Sequence, residues 1–84
     1  VKTTPDVQRV LGRRIRLLRE DHRLSQQQLA DQLHLSQRYI SELERGTKTP
    51  SLDTLVRIAH VGFQIPIAEL FYDVDDIRDP IWDK

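Results

Sequence analysis

The 84 residues contain no cysteine, no methionine, only three glycines and one tryptophan, and no apolar run longer than three residues. Without cysteine there is no disulfide framework and no thiolate zinc site, which suits a reducing, cytoplasmic setting. Without a long apolar stretch no segment can span a bilayer. No basic segment followed by an apolar one stands at the start, so no secretion signal is expected. The histidines at 22, 34 and 60 fall at no i, i+4 spacing, so no metal site is expected. No glycine-rich cradle or strand-turn-helix elbow surrounds a serine. Neither catalysis nor a cofactor is therefore expected. A chain this short is one domain at most and buries only about 60–65% of the surface its unfolded form exposes, so every element must serve one core.

Net charge is zero, but the charge is unevenly placed. Residues 1–48 carry ten Lys/Arg against six Asp/Glu, and residues 49–84 carry three against seven. The halves thus stand at +4 and −4. Because exposed charges are screened beyond about 8 Å, a locally basic face is enough to attract a polyanion.

Helical periodicity runs through most of the chain. Thr4-Pro5-Asp6 reads as a helix start, with a capping hydroxyl, proline in the first turn and a carboxylate at the positive dipole end. Val7, Leu11, Ile15 and Leu18 follow as an apolar stripe to about Asp21, with Arg9, Arg13 and Arg16 off that stripe. Ser25 and Gln28 form a capping box for a second helix that buries Leu29, Ala30 and Leu33. His34 and Leu35 make a tight turn. Ser36 caps a third helix with Ile40 and Leu43 inward, and Gly46 ends it. After the polar loop Thr47-Lys48-Thr49-Pro50, Ser51 and Asp53 start a fourth helix with Leu52, Leu55, Ile58 and Ala59 inward, stopped by Gly62. Pro66 opens a fifth helix with Ile67, Leu70 and Phe71 inward. No strand period appears.

The second and third helices are short, so each depends on packing against its neighbours. Two short crossing helices with a small residue, Ala30, at the crossing predict a helix-turn-helix over Gln26–Arg45. One helix of such a unit braces on the nucleic-acid backbone while the next enters a major groove about 12 Å wide. With Leu35, Ile40 and Leu43 inward, Gln37, Arg38, Ser41, Glu42 and Arg45 face outward. Gln37 and Arg38 are types that contact adenine and guanine edges with two hydrogen bonds, and they sit in the first turn, where base contacts concentrate. Glu42 can accept from cytosine N4, though a carboxylate repels phosphates. Arg45, Thr47 and Lys48 lie where a loop can grip the backbone. Gln26 and Ser36 stand at helix N-termini that attract phosphate. Tyr39 either packs inward or offers its hydroxyl to a phosphate.

The pieces Leu24-Ser25-Gln26-Gln27-Gln28-Leu29-Ala30, Tyr39-Ile40-Ser41-Glu42-Leu43-Glu44-Arg45-Gly46 and Pro50-Ser51-Leu52 resemble the Xre family of lambda-type phage repressors, antitoxin repressors and restriction-modification controllers. The resemblance covers about residues 8–72. It implies an all-α, compact five-helix lambda-repressor-like domain over residues 4–72, followed by an acidic tail, 73–84. It further implies sequence-specific binding to double-stranded DNA as a homodimer, as a repressor on a pseudo-palindromic operator. Gln37, Arg38 and Glu42 match base-reading positions. Gln26 matches a glutamine that meets phosphate and braces the third helix, and Arg19 with Glu44 matches a structural ion pair. An antitoxin or bridging module that uses the same fold for protein contacts is the alternative.

Three features depart from the family pattern. Arg23 and His34 stand where glycine is usual, at turns needing positive φ, which costs of order 1 kcal/mol. The segment Val61–Ile65 is one residue longer than usual. Arg23 is either a further phosphate contact or a tolerated surface residue. In the tail, Asp73, Asp75, Asp76, Asp79 and Asp83 punctuate Val74, Ile77, Ile81 and Trp82. It reads either as a solvated acidic end or, with the fifth helix, as a surface for a protein partner.

Overall fold

The computed structural model describes residues 5–72, with side chains from residue 7 onward. The Thr4 cap and the tail 73–84 lie outside the described residues. In chain order the elements are α1 (Pro5–Asp21), α2 (Gln26–Leu33), α3 (Gln37–Arg45), α4 (Leu52–Arg57), a π-helical segment (Ile58–Phe63) and a 3₁₀ helix (Ile67–Phe71). No strand occurs among the described residues, and no helix there is long and apolar enough to cross a membrane.

One core joins these elements. Leu11, Ile15 and Leu18 of α1, Leu29, Ala30 and Leu33 of α2, Ile40 and Leu43 of α3, and Ile58, Ala59, Phe63 and Leu70 beyond them are all buried in it. The stripe expected for α1 is therefore the buried one, with Val7 half-buried at its start. Leu35, Leu55, Ile67 and Phe71 are half-buried against the same cluster.

Gly12 decides how α1 meets α3. A β-carbon there would stand 2.3 Å from the Leu43 carbonyl oxygen and 2.7 Å from that of Glu44. The two helices touch backbone to backbone, a contact only glycine permits. From the sequence a glycine inside a helix signals only a propensity cost of about 1 kcal/mol.

The boundaries of α2 and α3 are set by side chains. The Gln28 N–H donates to Ser25 Oγ at 3.0 Å and the Ser25 N–H to Gln28 Oε1 at 2.8 Å, closing the capping box. Ser36 Oγ likewise accepts from the Tyr39 N–H at 3.0 Å. His34 at φ 57° and Gly46 at φ 76° close the two C-termini in the left-handed region. Arg23 also sits at φ 57°, so both non-glycine turn positions carry the conformation expected of them.

Beyond Pro50 the expectations need correction. Leu52 is 70% exposed and contributes nothing to the core. Ser51 caps the helix through the Thr54 N–H, which places Leu52 at its solvent-facing first position. Gly62 does not stop the helix. The chain widens into the π segment and ends at Gln64, which takes φ 54°, while the Ile65 N–H reaches back to the Ala59 carbonyl at 2.9 Å. A wide turn absorbs one additional residue while keeping Ile58, Ala59 and then Phe63 on the core side. Gly62 is buried where α2 approaches: a β-carbon would lie 3.2 Å from Leu29 Cδ1. The fifth helix is a short 3₁₀ helix, with Leu70 fully buried.

Candidate nucleic-acid interface

The exposed side of α3 follows from what its other side buries. Ile40 is fully buried and Leu43 nearly so, which turns Gln37, Arg38 and Arg45 to solvent. The Arg38 side chain is 87% exposed. Glu42 is half-buried: its carboxylate lies 3.8 Å from Arg38 Nε and 3.9 Å from Lys48 Nζ. It therefore sits between two cations of the exposed face, at distances typical of weak, solvated pairs.

Behind this face runs a chain of polar contacts. Arg19 Nε donates to Glu44 Oε2 at 2.6 Å and Nη2 to Oε1 at 3.1 Å, a fork-on-fork pair, while Nη1 donates to the Leu24 carbonyl at 2.8 Å. Both side chains are largely withdrawn from water, 12% and 4% exposed. The hydrogen bond to Glu44 raises the Arg19 pKa above the ordinary guanidinium value, against the opposing effect of burial. A raised folded-state value means the stabilisation is fully present below the unfolded value and is lost only as pH climbs past the folded one. The arginine thus stays charged throughout the physiological range.

Glu44 Oε1 also accepts from Gln26 Nε2 at 3.1 Å, and Gln26 Oε1 faces Gln37 Nε2 at 3.4 Å. A carboxylate only accepts, so Glu44 dictates which end of the Gln26 amide turns toward it. Gln26 in turn presents its oxygen to Gln37. The ion pair thereby orients the Gln26 amide, whose oxygen is left toward Gln37.

The remaining expected contact residues fall around the same face. Ser36 Oγ is occupied as an acceptor by the cap but keeps its own O–H to donate. The Tyr39 ring packs against the core, with Lys48 Nζ 5.9 Å from its centroid. This favours the packing reading for the ring. Arg45 Nη1 donates to Ser41 Oγ at 3.1 Å. The Thr47 N–H and hydroxyl both donate to the Glu42 carbonyl, at 3.0 and 3.2 Å, folding the loop back onto α3. Lys48 and Thr49 are exposed just beyond, where Gln8 of α1 bonds the Thr49 hydroxyl.

Two supports of the site were missed. Arg57 donates to the Leu33 carbonyl, tying α4 to the end of α2. Both His22 ring nitrogens lie against carbonyl oxygens, Leu18 at 2.8 Å and Phe63 at 3.2 Å. No sequence spacing announces the Arg57–Leu33 or the His22–Phe63 contact, because each joins residues more than twenty apart. Among the described residues no cluster of His, Asp or Glu could hold a metal ion.

The family profile described as helix-turn-helix matches residues 15–70. The immunity repressor protein of Bacillus phage phi105 is 39% identical over 56 residues, 66% of this chain and 39% of that protein. The chain thus spans about two fifths of the phage repressor's length. The control protein C.MunI of Mycoplasma sp is 34% identical over 71 residues, covering 83% of this chain and 95% of its own. Among solved structures, the restriction-modification controller protein C.AhdI of Aeromonas hydrophila superimposes with a TM-score of 0.74 at 34% identity, over 81% of this chain and 100% of that one. The clp gene regulator ClgR of Corynebacterium glutamicum does so with a TM-score of 0.77 at 28% identity, over 83% and 73%.

Proposed function

The chain belongs to the helix-turn-helix family, and on that premise we propose that it is a DNA-binding transcriptional regulator that represses by seating α3 in the major groove of an operator. Its named relatives are repressors and control proteins rather than enzymes, in keeping with the expectation of no catalysis. Gln37 and Arg38 read base edges, and Glu42 reads further along the helix. Gln26, Ser36, Arg45, Thr47 and Lys48 engage the backbone phosphates, while Tyr39 packs beneath them. Two protomers bind half-sites whose centres lie about one helical turn, ~34 Å, apart. A reducing cytoplasm suits such a chain.

The observation that carries this reading is the series Arg19–Glu44–Gln26–Gln37. A glutamine recognises adenine by donating from Nε2 to N7 and accepting at Oε1 from N6. With one Nε2 proton directed at Gln26, Gln37 keeps the other proton and its oxygen for the base. The 3.4 Å contact between the two amides biases Gln37 toward this orientation and so lowers the ordering cost of binding.

The test is a Gln37→Ala plus Arg38→Ala variant titrated against a duplex recovered by selection with the parent protein. Each two-hydrogen-bond contact discriminates by about 1–3 kcal/mol, so losing both should weaken binding by at least about 30-fold, with helicity and melting temperature retained. Undiminished binding would refute the assignment.

A further inference from the structure

Five arginines lie on α1, and Arg14 and Arg19 hold groups on other elements. Arg19 is held by Glu44, and Arg14 Nε donates to the Glu69 carbonyl at 2.9 Å with its guanidinium over the Tyr72 ring. Arg9, Arg13 and Arg16 are exposed and share one face, at spacings of four and three. Like charges at those spacings destabilise an isolated helix. At the C-terminal end of the stripe Glu20 lies 3.4 Å from Arg16 in an exposed pair. Arg13 makes no ion pair or hydrogen bond among the described residues.

The placement of the stripe follows from the α1–α3 contact. Gly12 and Arg19 of α1 face α3, and the core residues Leu11, Ile15 and Leu18 lie to one side of that line. At about 100° per residue, Arg9, Arg13 and Arg16 fall on the other side. On α3, Ser41 and Arg45, bonded to each other, lie away from the core residues Ile40 and Leu43. Arg9 lies over the end of α3: a Gly46 β-carbon would stand 2.9 Å from its Cα. The arginines of α1 and Arg45 therefore border one continuous surface.

We propose that Arg9, Arg13 and Arg16 form a second phosphate-binding track, engaging the DNA backbone that walls the groove α3 occupies. The inference rests on the operator-binding reading above. A helix about 10–12 Å across fills a groove about 12 Å wide, so an element in backbone contact with that helix meets the groove wall. From Arg9 to Arg16 the helix rises about 10 Å, the axial rise of about three phosphates on one strand. Guanidinium groups suit phosphate oxygens through paired hydrogen bonds. Phosphate contacts position a protein without reading sequence, so the track adds affinity and register rather than base preference.

The experiment compares the parent with Arg9→Gln, Arg13→Gln, Arg16→Gln combined, measuring log K against log salt on a selected duplex and on an unrelated one. Each lost phosphate contact flattens the slope by about 0.9, so the triple variant should be flatter by up to about 2.7 on both duplexes, with base preference unchanged. The corresponding triple lysine variant should keep the parent slope. Arg13→Gln alone, at an exposed position outside any packing, should flatten it by about 0.9 and covers the case in which the triple variant folds poorly. An unchanged slope in the glutamine variants, or equal loss in the lysine variant, overturns the track while leaving operator binding intact. Absence of salt-dependent DNA binding by the parent overturns both readings together.

Discussion

The two halves of the molecule solve the same problem, ending and joining short helices, in different ways. In α2 and α3 the ends are closed by serine hydroxyls at the start and left-handed residues at the finish. From α4 onward the serine cap appears once, after which the chain runs through a π segment into a 3₁₀ helix with no side-chain cap at either start. The first region presents the proposed reading surface, where such a role for Gln37 requires its position to be held closely. The second supplies core side chains, Ile58, Phe63 and Leu70, and needs only to deliver apolar groups to one side. Local hydrogen bonding governs one half and burial governs the other.

The sharpest way to break this contrast is Arg19→Met. It leaves the Glu44 carboxylate, 4% exposed, with Gln26 as its remaining side-chain partner. Unpairing a buried charge of this kind should cost about 3 kcal/mol in denaturant unfolding, near the lower end of the usual range because Arg19 keeps some solvent contact. A cost below about 1 kcal/mol would mean the pair behaves as a surface pair. Arg23→Gly removes the left-handed strain at φ 57° and should stabilise the fold by about 1 kcal/mol in the same assay. Destabilisation would show that the arginine side chain, not the turn, matters there. Deleting Val61, 52% exposed within the π segment, should change stability by less than about 1 kcal/mol, since the wide turn can revert to α geometry with Phe63 still inward. A loss of several kcal/mol would show that the wide turn is itself required by the packing.

These differences track what was legible in the sequence. Ser25, Gln28, Ser36 and Gly46 act on neighbours within a few residues, so their spacing alone placed α2, α3 and the outward set Gln37, Arg38 and Arg45. Leu52 was misread because a regular apolar spacing cannot tell a first-turn residue, which projects beyond the core, from one a turn later. Gly62 was misread as a stop because its small size serves a close approach by Leu29 rather than a left-handed bend. Gly12, His22 and Arg57 went unassigned for a shared reason: their partners Leu43, Phe63 and Leu33 are distant in sequence and adjacent only after folding. The resemblance to repressors supplied the pairing of Arg19 with Glu44, which no local pattern contains.

In the proposed complex α3 turns an amide and a guanidinium toward base edges in two copies related by symmetry. Selection of bound sites from a random duplex pool tests it most directly. The expected outcome is enrichment of inverted half-sites with centres about 34 Å apart, and a changed preference when Gln37 and Arg38 are replaced by alanine. A pool that stays unenriched, or one that enriches identically with the double variant, would contradict it.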